Sequence, residues 1–294
     1  PGTPSSEVGD TLYQIHEKAG IKFEFSVNEK VAMESCFAAS VSGVRSFVFM
    51  KHVGLNVASD PMMSIAYTGV KAGMVIMTAD DPSMFSSQNE QDNRNYARIA
   101  HIPLIEPSNA QECKNFIKYA FELSERFRIP VIFRTTTRVS HQRGMVVTSQ
   151  SQEIMSKGHF TSEKNRFNAL PVNSRRLKLE LLDKMKEISK ESDDTFLNFE
   201  INSGGSLGII TSGASYGYVQ DFISDYELKI DILKLSLTYP SPSTKIIDFL
   251  KRYQNVVIIE ELDPILESDI RNIAQMNNLN TNIHGKMTGE LPAY

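Results

Sequence analysis

Residues 21–40 read IKFEFSVNEKVAMESCFAAS, and the change of pattern within them predicts an α/β fold. Apolar side chains alternate with polar ones over residues 21–27, which is typical of a β-strand. Asn28 is a favoured helix N-cap residue, and the small side chains after it predict a helix over about 29–42. Glu29 would then be a carboxylate at the end of a strand. The small residues behind it leave room for a flat ring to lie against the acid group.

The same alternation of strand and helix continues through the first half of the chain. Predicted strands are residues 46–50, 74–79, 102–106 and 130–134, and predicted helices are residues 61–72, 93–100 and 109–126. The strands are apolar on both faces, as a parallel sheet covered by helices requires. The spacing of Ser108 and Gln111 is a capping-box pattern, which predicts where the last of these helices begins.

The length of 294 residues predicts more than one domain. We expect two three-layer α/β domains with mostly parallel sheets, the first over residues 1–150 and a smaller one over 205–294. Between them, residues 151–204 are rich in charge and are expected to form a helical linker. One face of its helix carries a stripe of apolar side chains: Leu177, Leu181, Met185 and Ile188.

The composition excludes several classes of protein. A net charge of −4 argues against nucleic acid as the main partner. The apolar runs are strand-sized, so no membrane span is expected. With two cysteines, Cys36 and Cys113, the chain by itself can build neither a disulfide framework nor an iron–sulfur cluster. We expect a reducing, cytoplasmic compartment.

Polar loops follow the predicted strands, where a parallel sheet binds its ligands. They are residues 28–29, 51–56, 80–94 and 135–143. Taken singly, each has a structural explanation: Glu29 can complement a helix N-terminus, and His52 can bond a backbone carbonyl. No GxSxG elbow, P-loop or paired zinc-ligand spacing occurs, and GASYG at 213–217 falls short of a dinucleotide fingerprint.

Several longer stretches, taken in order, resemble one enzyme family. They are PGTPSSEVGD (1–10), FSVNEKVAMES (25–35), MKHVGLNVASDPMMSIAYTGVKAG (50–73), ADDPSMFSSQNEQDNRNYAR (79–98), RTTTRVSH (134–141), LGIITSGASYGYV (207–219) and VVIIEELDPILE (256–267). These stretches resemble the 2-oxoacid:ferredoxin oxidoreductases, in particular the α subunits of the indolepyruvate branch. The resemblance implies a thiamine-diphosphate pyrimidine-binding domain followed by a transketolase-C-terminal-like domain.

The resemblance also implies roles for individual residues. Glu29 would contact the N1′ nitrogen of the cofactor's aminopyrimidine and favour the tautomer that activates the thiazolium carbon. Pro1 would lie near the thiazolium, and Thr3 would donate a hydrogen bond beside cofactor and substrate. His52 would be a proton carrier or donor at the reacting centre. The implied reaction is oxidative decarboxylation of a 2-oxoacid to an acyl-coenzyme A, with ferredoxin as electron acceptor.

The chain departs from the family in the turn after the second strand. Relatives acting on small 2-oxoacids carry an arginine there that binds the substrate carboxylate, but residues 79–83 read ADDPS. The side chains expected to substitute are Ser87, Gln88, Asn89 or Arg94. An aryl substrate fits this arrangement better, because burial of its ring supplies binding. A bulky pocket for that ring is expected near Met62, Met84 and Phe85.

A second departure concerns what the chain lacks. It has no Gly-Asp-Gly…Asn pattern for the diphosphate and Mg²⁺, and no CxxCxxC motif for a cluster. We therefore expect a fragment or subunit that holds no metal and is inactive alone. Its expected partners are the metal/diphosphate-binding and ferredoxin-like domains of the same enzyme, a second (γ or β) subunit, ferredoxin and the 2-oxoacid. The iron–sulfur clusters and coenzyme A would belong to the complete, oligomeric complex.

Two alternatives stay open at this point. The chain could be a thiamine-dependent subunit of a different 2-oxoacid oxidoreductase or dehydrogenase. It could also be a non-catalytic assembly module, in which the small-residue helix at 31–42 and the stretch 62–73 form an interface. Gly69 and Gly73 permit close helix approach in either case.

Overall fold

The computed structural model describes residues 2–148 and 157–292, which form two five-stranded sheets. The first sheet contains β1 (Ser46–Lys51), β2 (Met74–Asp80), β3 (Leu104–Ile105), β4 (Val131–Thr136) and β8 (Leu237–Tyr239). The second contains β5 (Phe199–Ile201), β6 (Gly208–Ser212), β7 (Asp231–Leu235), β9 (Asn255–Ile259) and β10 (Asn282–His284). The strand orders are β1-β2-β4-β3-β8 and β10-β9-β6-β7-β5. Each sheet is parallel except for one antiparallel edge strand, β8 or β5, which confirms the predicted α/β class.

Helices connect most of the strands. They are α1 (Ser6–Ile15), α2 (Glu29–Val41), α3 (His52–Thr68), α4 (Arg94–Ala100), α5 (Ala110–Phe127), α6 (Thr137–Ser140), α7 (Pro171–Asp194), α8 (Ser215–Asp225), α9 (Ser243–Leu250) and α10 (Ile265–Met276). None of the helices in the described part of the chain is long and apolar enough to cross a membrane.

The predicted strand over residues 21–27 is wrong. This segment joins neither sheet, and its aromatic rings pack on one another. The rings of Phe23 and Phe25 meet edge to face with centroids 4.8 Å apart, and Phe23 also stacks on Phe49 of β1. Alternating apolar side chains can line up on one side of an extended chain without any partner strand. Ile21, Phe25 and Val27 remain 46%, 48% and 89% exposed, so the alternation here marks neither a buried face nor a paired strand.

Two helices begin elsewhere than the pattern predicted. Helix α3 starts directly after β1 and contains Pro61, so Lys51 of the predicted polar loop ends β1 and residues 52–56 begin α3. Helix α5 is capped by Asn109 and not by Ser108, because the Asn109 Oδ1 accepts the Glu112 N–H at 2.9 Å. The Glu112 carboxylate returns to the Ser108 N–H at 2.7 Å.

Sheet membership does not follow the order of the chain. The stretch IDILKLSL at residues 230–237 has the apolar pattern of one strand, but the chain passes from the second sheet to the first at Ser236. The side chain of Asn198 stabilises this break, since its Oδ1 accepts the N–H groups of Ser236 and Leu237 at 2.8 and 3.0 Å. Strand β5, within the predicted linker, pairs with β7. The division into 1–150, 151–204 and 205–294 stays a prediction.

The predicted apolar stripe of the linker helix is confirmed. Leu177, Leu181, Met185 and Ile188 are all buried on α7. Three of them belong to the same core cluster as the first sheet, together with Met74 and Leu123. Helix α7 therefore packs on α3 and contributes to the core of the first sheet.

Candidate active site

The candidate site lies at the carboxyl edge of the first sheet. There β1 leads straight into α3 at His52, and β2 ends at Asp80 before the long loop to α4. The N-terminal turn lies over this loop, because the Ser86 hydroxyl donates to the Thr3 carbonyl at 3.4 Å. Thr3 itself is exposed at this turn. Pro1 is outside the described residues.

Glu29 is the first residue of α2 and is half-buried. The preceding Asn28 caps the helix by accepting the Val31 N–H at 2.9 Å, which fixes where the glutamate leaves the backbone. Its side chain lies directly on Gly54 of α3. A Cβ at position 54 would lie 2.7 Å from the Glu29 Cγ and 3.0 Å from its Oε1. The absence of a side chain at Gly54 therefore makes the space in which this carboxylate sits.

The Glu29 carboxylate has no hydrogen-bond or ion-pair partner within residues 2–148 and 157–292. A half-buried carboxylate with all its acceptor sites available can bind the N–H of a ligand. The flat, small-residue surroundings of α2 and Gly54 suit a planar heterocycle. These residues fit the aminopyrimidine of thiamine diphosphate.

His52 is completely buried at the start of α3. Its Nε2 lies 3.2 Å from both the carbonyl and the side-chain oxygen of Asn89. Its Nδ1 is buried without a hydrogen-bond partner in the described part of the chain. The backbone carbonyl of His52 accepts from the side chains of Gln91 and Asn93. The histidine therefore holds the 80–94 loop against α3 and keeps one ring nitrogen available.

The Asp81 carboxylate holds the first part of the 80–94 loop by hydrogen bonds. Its Oδ2 accepts the Ser86 N–H at 2.8 Å and the Ser87 hydroxyl at 2.5 Å, and its Oδ1 accepts the Thr137 hydroxyl at 2.7 Å. Burial alone would raise the pKa of Asp81, but these hydrogen bonds and the charge of Lys51 lower it to about 2. The carboxylate is therefore ionised and saturated with donors.

The loop side chains predicted to bind the substrate differ in exposure and in whether their polar atoms are already hydrogen-bonded. The Ser87 hydroxyl already donates to Asp81. Gln88 is exposed, and Asn89 is exposed while its oxygens face His52. Met62 is fully buried in the core, whereas Met84 and Phe85 are exposed at the tip of the loop. The expectation of a pocket built jointly by these three side chains is therefore wrong.

Arg94 cannot replace the missing substrate arginine, which corrects that prediction. Its guanidinium is buried and binds Asp92 and Glu260, the latter at 2.6 Å. It also donates to the carbonyls of Glu261 and Asp263 at 2.7 and 2.8 Å. These partners lie after β9, so Arg94 ties the loop to the second sheet.

A second buried arginine lies beneath the same edge. Arg134 of β4 binds Asp80 at 2.7 Å and Glu106 at 3.0 Å. Burial raises the pKa of Asp80, and the neighbouring Asp92 charge adds to this, while Arg134 opposes it. Asp80 Oδ1 and one Arg134 terminal nitrogen are buried without hydrogen-bond partners within the described residues, although that nitrogen lies 3.8 Å from the Asp92 carboxylate. This network fixes the strand ends on which the loop stands.

Lys51 is a functional candidate that the sequence motifs did not single out. It is the last residue of β1, and its ammonium donates to the Ser86 carbonyl at 2.8 Å. Its side chain lies against Gly2, where an added Cβ would be 3.3 Å from the Lys51 Cδ. Its position directly before His52 was the available signal, because that placed a cation at the same strand end.

Fold and site together define a protein of the thiamine-diphosphate-binding α/β class. A family model described as "Pyruvate flavodoxin/ferredoxin oxidoreductase, thiamine diP-bdg" matches residues 1–194. The chain belongs to this family, as the sequence motifs indicated.

Named relatives match almost the whole chain. It is 51% identical over 294 residues to "Indolepyruvate oxidoreductase subunit IorA" of Methanothermobacter marburgensis, covering 99% of this chain and 48% of the relative. The protein of the same name from Thermococcus kodakarensis is 44% identical over 293 residues, covering 97% and 45%. The chain thus spans about half the length of the curated relatives it matches.

Solved structures share the fold. A 2-oxoglutarate:ferredoxin oxidoreductase from Magnetococcus marinus matches with a TM-score of 0.73 and 13% identity, over 97% of this chain and 57% of that one. A split-gene transketolase, described as an inactive beta4 tetramer, matches with a TM-score of 0.61 and 14% identity, over 97% and 79%. At these identities the likeness concerns the fold alone, and it agrees with the two predicted domain types.

Proposed function

We propose that this chain is the pyrimidine-side portion of a thiamine-diphosphate-dependent 2-oxoacid:ferredoxin oxidoreductase that acts on indolepyruvate or a similar arylpyruvate. The observation that carries the proposal is the Glu29 carboxylate, which lies half-buried on Gly54 with no protein partner in the described residues. Family membership supports the cofactor, and the names of the relatives support the substrate class.

The chain's own residues would bind and orient the reactants. Thiamine diphosphate, when bound, supplies a carbon nucleophile and an electron sink for decarboxylation. Glu29 would hold a proton at the pyrimidine N1′, and Gly54 lets the carboxylate lie flat against α3. Thr3 would donate a hydrogen bond to the substrate from the N-terminal turn. Buried His52 keeps Asn89 in place and would offer its free ring nitrogen towards the reacting centre.

The remaining chemistry would come from other parts of the enzyme. No group of three or more potential metal ligands occurs within the described residues. The sequence lacks the Gly-Asp-Gly…Asn and CxxCxxC patterns, and we assign Mg²⁺, the cofactor diphosphate, the iron–sulfur clusters and coenzyme A to domains or subunits outside this chain. Ferredoxin would be the electron acceptor of the assembled complex. The exposed Met84 and Phe85 at the loop tip would face the aryl ring or the neighbouring domain.

The test compares three forms of the complete enzyme, assembled from the full-length subunit and its partner subunit. They are the parent, Glu29→Gln and Glu34→Gln, where Glu34 is an exposed glutamate on the same helix. Indolepyruvate-dependent reduction of ferredoxin should fall by roughly 100-fold to 10,000-fold in Glu29→Gln, as loss of a proton-transfer group does. Glu34→Gln should match the parent, and assembly should survive in both variants. An unchanged rate in Glu29→Gln would favour the non-catalytic assembly module.

A further inference from the structure

We propose that Lys51 binds the carboxylate of the substrate, in place of the arginine that residues 79–83 do not provide. The inference rests on the proposed function, since it names how that site recognises the anionic end of a 2-oxoacid. It assigns Lys51 as a substrate-binding residue, with no bond made or broken at its side chain.

The first support is the position of the ammonium group. Lys51 leaves the carboxyl end of β1 one residue before His52, and its aliphatic stem lies on Gly2. Its Nζ reaches the Ser86 carbonyl at 2.8 Å, and the Ser86 hydroxyl in turn reaches the Thr3 carbonyl. The charge therefore lies where the N-terminal turn, the start of α3 and the 80–94 loop come together. These are the three segments predicted to surround the substrate.

The second support is that this charge is not neutralised by an ion pair. Lys51 forms no salt bridge in the described part of the chain, and one neutral carbonyl is its hydrogen-bond acceptor there. An ammonium has three donors, so two are available to a ligand. Asp81 feels the charge of Lys51, but its own oxygens already accept from Ser86, Ser87 and Thr137.

The third support is that neighbouring cations are occupied. Arg94 and Arg134 are buried, and each binds two or more carboxylates at 3.8 Å or less. Arg138 pairs with Glu261 at 2.7 Å. A substrate carboxylate that approached this edge would meet no free guanidinium among these three. Lys51 offers a point charge on a flexible stem, which accepts a carboxylate without the two-pronged geometry that arginine demands.

A pair of inhibitors separates recognition of charge from packing. The probes are 3-phenylpropanoate and 3-phenylpropanamide, which share the ring and chain length and carry no 2-oxo group to be decarboxylated. Their inhibition constants against indolepyruvate are measured with the assembled parent enzyme and with Lys51→Met and Lys51→Arg. Lys71→Met is the matched control, because Lys71 also donates to a loop carbonyl, that of His159 at 3.2 Å.

We expect the parent and Lys71→Met to bind the acid more tightly than the amide. Lys51→Met should lose roughly tenfold or more of that preference, and Lys51→Arg should keep most of it. The amide and thiamine diphosphate should bind equally well in every form. Should Lys51→Met fail to assemble, Lys51→Gln retains a donor for the Ser86 carbonyl and serves in the same comparison.

Two results would overturn the assignment. An unchanged acid-to-amide ratio in Lys51→Met would show that the ammonium does not meet the carboxylate. Equal weakening of both inhibitors, or weaker cofactor binding, would show that Lys51 only holds the loop. The Glu29→Gln comparison is independent of both: if that variant kept parental turnover, the proposed function would fail whatever the inhibitors report about Lys51.

Discussion

Gly54→Ala provides the sharpest test of how the candidate site is built. The new Cβ would lie 2.7 Å from the Glu29 Cγ and 3.1 Å from its Cδ. Carbon atoms pack at about 3.5–4.0 Å, so the glutamate would have to withdraw by roughly 1 Å. The atoms in the way belong to a flexible side chain, which can move at little expense to the fold. Alanine also favours a helix over glycine by up to about 1 kcal/mol.

The substitution should therefore preserve or raise stability while it lowers turnover, and this combination makes the prediction distinctive. Thermal unfolding of Gly54→Ala should occur at the parental temperature or slightly above it. Turnover of the assembled enzyme should fall by about 100-fold, the effect expected of a 1 Å displacement in a catalytic group. Gly217→Ala is the matched control, since Gly217 lies in helix α8 and a Cβ there would meet nothing within 4 Å.

Ferredoxin reduction and unfolding temperature are measured on the same preparations. Parental turnover in Gly54→Ala would refute the reasoning, because the carboxylate would then work equally well from a displaced position. A large loss of stability would also refute it, since the strain would have to reside in the backbone and not in the Glu29 side chain.

Three further predictions follow from the network around the loop. Asp81→Asn should destabilise the fold at pH 7 by about 2 kcal/mol, because the folded-state pKa of about 2 lies below the ordinary 3.8. The lowered pKa of Asp81 stabilises the parent above pH 3.8, and this contribution is lost as the pH falls towards 2. Urea titrations across this range should therefore show a falling free energy of unfolding from this group in the parent and not in the variant. Arg94→Met should cost about 3–5 kcal/mol in urea unfolding, because it leaves Asp92 and Glu260 buried without their cation. His52→Ala should expose the 80–94 loop to protease, whereas His52→Gln should protect it by keeping a donor for Asn89; equal cleavage of the two variants would count against this role of the histidine.

Local pattern predicted the elements whose side chains face a core. The apolar runs at β1, β2 and β4 and the stripe on α7 were identified because periodicity reports burial directly. The same rule failed for residues 21–27, since alternation cannot show whether a strand edge is available. It failed again at Ser236, where the break depends on Asn198, which lies 38 residues away in sequence.

For the site, sequence order indicated the edge of the sheet but not how each donor is used. Glu29 and His52 both lie at the starts of helices, α2 and α3, although Glu29 was expected after a strand and His52 in a loop. Arg94 looked available because its partner Glu260 is 166 residues further along the chain. Lys51 was predicted only as the first residue of the polar loop at 51–56, because no local pattern shows that its charge lacks a carboxylate. Whether a polar group is already paired therefore depends in part on contacts that are distant in sequence.

The unmatched charges at this edge are the strongest reason to regard it as a binding site. Glu29 and Lys51 carry opposite charges and leave neighbouring elements, yet within the described residues they form no ion pair with each other or with any other side chain. A partly buried polar group without a partner lowers the free energy of unfolding. The nearby Arg94 avoids this cost because its guanidinium is paired with two carboxylates. A cofactor with a basic ring nitrogen would satisfy Glu29, and a substrate carboxylate would satisfy Lys51. Two groups of opposite charge that are both without an ion pair at this edge favour a site shared by cofactor and substrate over a surface that only docks a partner.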